Sequence, residues 1–139
     1  MLSYKIKTNR INQEHSAPHF FILNKGLNSG KPLSNPCPNC FVCLFENEED
    51  KNKSFWICYS LWKSNSFHLI LKGSVIPFIT IGETRKTILN ATLNLKSKNI
   101  DFLKTIDVLK QIDQNEKTLE ESLKKVQELK KAFLFKILM

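Results

Sequence analysis

The sequence predicts an α+β protein: a small mixed β-sheet domain followed by a long C-terminal coiled-coil-like helix. Three observations lead there. Short apolar runs bounded by turn residues, "HFFILN" and "FVCLFE", read as strands. Beyond Ile100 the apolar residues recur at heptad spacing instead. The positive charge is concentrated before that change: residues 1–100 hold 13 Lys and Arg against 6 Asp and Glu, and residues 101–139 hold 8 against 7. At 139 residues the chain can bury one compact core but not two ordinary ones.

Residues 1–18 begin with Tyr4 and Ile6 alternating with Lys5 and Lys7 and then turn polar, as an N-terminal arm or an edge strand would. Residues 19–98 form the basic α+β domain. Its first strand candidate, 19–24, ends in "KGLNSGKPLSNPCPN", where three prolines and two glycines oppose regular structure. Residues 41–46 are a second strand, and the polar "ENEEDKNKS" after them reads as a solvated loop. "FWICYSLW" is apolar on nearly every side, so periodicity leaves open a central strand or a short buried helix. "SVIPFITI" has the β-branched density of a strand that Pro77 confines to an edge or bulge. Thr80 and Glu83 stand three apart, as in a capping box, with Arg85 and Lys86 expected in the first turn of the helix that starts there. "TILNATLNL" alternates Leu and Ala with Asn and Thr, which favours a strand.

Residues 99–139 complete the chain as the long helix. Phe102, Leu109, Ile112, Leu119, Leu123, Val126, Phe133 and Ile137 fall on a and d positions, interrupted by Thr105, Glu116 and Lys130. Opposite charges recur four apart on the other faces, as at Asp113 and Lys117. One helix over 101–138 would extend about 57 Å, so part of the seam calls for a partner helix. The interface residues are Leu109, Ile112, Leu119, Leu123, Val126, Phe133 and Ile137. An antiparallel pair centred near Leu123 would bring Glu116 of one chain close to Lys130 of the other, with a second copy or a partner's helix as the mate.

Two constellations carry possible chemistry. Cys37, Cys40, Cys43 and Cys58 include the tight "PCPNC" turn, which can place two thiolates on one zinc ion, with Cys43, Cys58 or His68 completing a tetrahedron. Against that, the second C-x-x-C is absent, and Cys43, flanked by Val42 and Leu44, equally suits a core position. The second constellation is basic. Lys25, Lys31, Lys63, Lys72, Arg85 and Lys86 are candidates for phosphate contact, Arg85 foremost because a capped helix start attracts anions. The ordinary alternative is that such residues are merely solvated.

Enzyme chemistry is not expected. "GLNSGKP" is one residue short of a phosphate loop and carries Pro32 where the magnesium-binding hydroxyl belongs. His15, His19 and His68 are scattered. No apolar run approaches the ~20 residues of a membrane span, and "MLSYKIKTNR" has no signal-peptide core, so a cytoplasmic protein without a membrane partner is expected.

"FVCLFENEEDKNKSFWICYSLWKSNSFHLILKGSVIPFITIGETRKTIL", followed by "FLKTIDVLKQIDQNEKTLEESLKKVQELKKAFLFKIL", resembles half of a type I restriction–modification specificity subunit, a target-recognition domain with its spacer helix. "GSVIPFITIGETRK" and "TIDVLKQIDQNEKTLE" fit that pattern best. The front part, "PHFFILNKGLNSGKPLSNPCPNCFV", resembles short uncharacterised Bacteroidetes proteins. The first resemblance implies a non-enzymatic module that binds double-stranded DNA and pairs through its C-terminal helix. The alternatives are a protein–protein scaffold or inhibitor mimicking a specificity subunit, or a small zinc-stabilised protein of unrelated function.

Overall fold

The computed structural model describes residues 4–139. The chain divides into two compact units, residues 1–100 and 101–139. The first contains strands β1 (Tyr4–Thr8), β2 (His19–Leu23), β3 (Pro32–Leu33) and β4 (Cys40–Phe45), helix α1 (Glu48–Lys63), a 3-10 turn (Ser66–Ile70) and helix α2 (Ile81–Ser97). The second is a single helix, α3 (Phe102–Leu138). The fold is α+β with a long C-terminal helix, as the sequence predicts.

The sheet runs in the order β1-β4-β2-β3, and every pairing is antiparallel, where a mixed sheet was expected. The two inner strands, "HFFIL" and "CFVCLF", are buried on both faces, which explains their near-continuous apolar character. β1 is an edge strand rather than a loose arm: Ile6 lies opposite Cys43, and Lys5 and Lys7 stay exposed.

Alternation along β4 sorts the core into two layers. Phe41, Cys43 and Phe45 share a face with Ile6, Phe20 and Ile22, and Phe20 meets Phe55 of α1 edge-on, with ring centroids 5.5 Å apart. On the other face Phe21, Cys40 and Val42 form a smaller cluster with Leu33, Cys37 and Leu44. The His19 ring closes edge-on against Phe21, and the His15 ring lies against His19.

Three local expectations are corrected. The acidic stretch after β4 is the start of α1, not a loop. Asn47 caps it by accepting from the Asp50 amide at 2.8 Å, Glu48 to Asp50 sit at the positive end of the helix dipole, and Glu48–Lys51 and Glu49–Lys53 pair along the surface. That same helix resolves "FWICYSLW" as helical.

"SVIPFITI" is not a strand. Reciprocal 2.9 Å bonds between Lys72 and Phe78 close a loop over 73–77, with Gly73 at φ 91°. Pro77 has no amide to extend a ladder.

"TILNATLNL" belongs to α2. Thr84 and Ile88 are buried, Ala91, Thr92 and Leu95 half-buried, and this spacing is helical. Thr84, Thr87 and Thr92 satisfy their hydroxyls on carbonyls four residues back, at 2.7–2.9 Å, which lets β-branched residues sit in a helix.

Candidate functional site

α3 is the feature whose surface is least explained by its own fold. Asp101 caps it by accepting from the Leu103 amide at 3.2 Å, and no Pro or Gly interrupts the 37 residues that follow. From residue 114 to the C-terminus every residue is exposed. The heptad residues Ile112, Leu119, Leu123, Val126, Phe133 and Ile137 are all exposed, between 56% and 70%. Leu109 is already half-buried, so the open seam begins at Ile112. Ile112, Leu119 and Leu123 line a shallow groove edged by Asn115, Glu116 and Glu120, the kind of hole a side chain from a facing helix fills. Asp113 and Lys117 pair at 3.2 Å off the seam, as their spacing predicts.

The six basic candidates fall into three places. Lys31 and Lys63 come together: their ammonium groups lie 5.2 and 4.8 Å from the centroid of the Trp62 ring, a cation–π arrangement at the end of α1. Trp62 continues an edge-to-face row with Tyr59 and Trp56. Lys25 and Lys72 each bridge Phe78 through the backbone, at the base of the 73–77 loop. Arg85 and Lys86 stand in the second turn of α2, not the first. The Arg85 guanidinium donates to the Ile6 carbonyl at 3.3 Å and ties α2 to β1, and Lys86 faces Glu83 at 3.7 Å. The cap itself forms, with the Glu83 amide donating to the Thr80 hydroxyl at 3.4 Å.

The cysteines separate. Cys40 and Cys43 are an odd number of residues apart on one strand and therefore face opposite sides of the sheet. Cys40 donates its thiol to the Cys37 carbonyl at 3.1 Å, while Cys43 and Cys58 lie in the helix-covered core. Burial pushes the Cys43 thiol up to about 12 and the Cys58 thiol well above its usual range. Among the described residues no group of three or more His, Cys, Asp or Glu side chains converges on one point, and His68 instead bonds the Leu27 carbonyl at 3.0 Å. The structure therefore does not assemble the expected four-residue set.

One feature has no counterpart in the sequence pattern: Leu27, Leu69, Val75 and Ile76 are exposed, Val75 to 89%. Hydrogen bonds from Gly26 to Pro77 and between His68 and Leu27 hold their segments together. The residues were legible as apolar, but the exposure of Val75 and Ile76 depended on 73–77 being a loop. Among the described residues no helix is long and apolar enough to cross a membrane.

A protein-family model described as a family of unknown function matches residues 6–136. No curated protein and no solved structure matches.

Proposed function

We propose that this chain, which belongs to the family of unknown function DUF6943, is a non-enzymatic cytoplasmic assembly module: a small basic α+β head carried with a helix that docks against another amphipathic helix. One observation carries the reading. The seam of α3 from Ile112 to Ile137 is apolar at heptad spacing except at Glu116 and Lys130, and it is exposed along its length. Helices in water draw most of their stability from packing such a stripe, and an open stripe of this length is an association surface. The test is a photoreactive residue at Asn115 or Ser122, beside the seam, in living cells. Adducts that map to an amphipathic helix support docking; a chain that stays unlinked at both positions contradicts it.

A second reading concerns the head, which would meet nucleic-acid phosphates as the restriction–modification resemblance implies. The convergence of Lys31 and Lys63 on Trp62 favours it, as does the excess of seven positive charges over residues 1–100. Titration of duplex DNA at two salt concentrations tests it. Binding should fall steeply with salt, and Lys31→Ala with Lys63→Ala should weaken it alike on all sequences and reduce the salt slope by about one for each phosphate no longer neutralised. Absence of binding at either salt, or binding indifferent to salt, would leave the head as a scaffold that touches no DNA.

A further inference from the structure

We infer that the occupant of the α3 seam is a second copy of this chain, bound antiparallel. The inference rests on the docking reading above and names its partner. Leu119, Leu123 and Val126 are consecutive apolar d, a and d positions, but the neighbouring a positions carry Glu116 and Lys130, charges a dry seam tolerates poorly unless they are paired.

The exposed stretch Ile112 to Ile137 has its midpoint between Leu123 and Val126. A twofold axis at that midpoint overlaps the whole stretch with itself. Leu123 then faces Val126 of the second copy, Leu119 faces Lys130, Glu116 faces Phe133 and Ile112 faces Ile137, so that every a position faces a d. The layers of Glu116 and of Lys130 in the second copy are neighbours, three residues or about 4.5 Å apart along the axis. A carboxylate and an ammonium on facing helices reach each other over that offset, and the symmetry makes the contact twice. Beside the seam the same register sets Glu120 against Gln127, Asn115 against Lys136 and Ser122 against Leu129, with no like charges opposed. A parallel pair would instead place Glu116 opposite Glu116 and Lys130 opposite Lys130 in shared layers. A register shifted by one heptad toward the N-terminus would set the Thr105 hydroxyl against Ile137 in the seam. The charges therefore select orientation, and the apolar span from Ile112 to Ile137 selects register.

Sedimentation equilibrium on the full chain tests the inference, with circular dichroism confirming that each variant keeps its helix. The wild type should be a reversible dimer. Glu116→Lys and Lys130→Glu should each weaken it several-fold, the double exchange should restore it, and Leu123→Glu should weaken it by roughly tenfold or more. A parallel dimer predicts no loss from the single exchanges and no rescue. In a Cys37→Ser background, a Leu119→Cys chain should cross-link to a Lys130→Cys chain and neither should cross-link to itself; self-linking overturns the orientation. A chain that stays monomeric to its solubility limit overturns the second copy. If the photoreactive residues still capture another protein's amphipathic helix in cells, the docking reading survives that result; if they capture nothing, both fall.

Discussion

Gly30 shows at the scale of one residue how the loop between β2 and β3 is held. Its φ of 97° lies where L side chains are strained, and a Cβ built there would enter the Phe67 ring, which is itself fully buried. Gly30→Ala should cost about 2–4 kcal/mol in urea unfolding, combining strain with overpacking. A buried thiol and a half-buried phenol supply a second prediction. Burial raises the Cys43 thiol from 9.0 to about 12, and burial first and then the Cys43 and Cys58 thiols raise the Tyr4 phenol from 10.0 to about 12. Both groups bind their protons more tightly folded than unfolded, so their contribution is complete below about pH 9 and is lost as pH rises toward 12. The urea midpoint should fall across that alkaline window, and Cys43→Ala should reduce the fall; a midpoint unchanged from pH 8 to 11 would contradict the burial of these groups. The cysteine spacing was legible in the sequence, as was the strand parity at Cys43. The partition of Cys40 and Cys43 between two faces became decisive only when β4 was seen to be covered on both sides.

Among the elements, α3 was fully legible and α2 was not, for a definite reason. A heptad pattern sustained over 37 residues has no competing period, whereas the Leu–Asn alternation at 89–95 satisfies a strand over seven residues while Thr84, Ile88, Ala91 and Leu95 satisfy a helix over twelve. Threonines that bond back to the preceding turn further masked the helix. The start of α2 was legible because a cap is a local signal. Thr80→Ala removes the acceptor for the Glu83 amide and should cost about 1 kcal/mol, read as a lower melting temperature, while Thr80→Ser should retain most of it. The first two turns of α1, residues 48–54, were missed because a polar, acidic run after a strand looks like a loop until Asn47 is recognised as its cap.

For the molecule as a whole, the sheet order could not be read from the chain, because β1 pairs with β4 across 32 or more residues and no local pattern encodes that. The division of charge was legible, and it leaves one part basic and the other nearly neutral with an apolar stripe. In the working protein a second copy covers this stripe, as inferred above. Amide hydrogen exchange of the full chain at two protein concentrations measures that most directly. Amides from Ile112 to Ile137 should gain protection with concentration and lose it in Leu123→Glu, while those of β2 and β4 stay unchanged. Fast exchange over 112–137 that is the same at both concentrations and in the variant would contradict it.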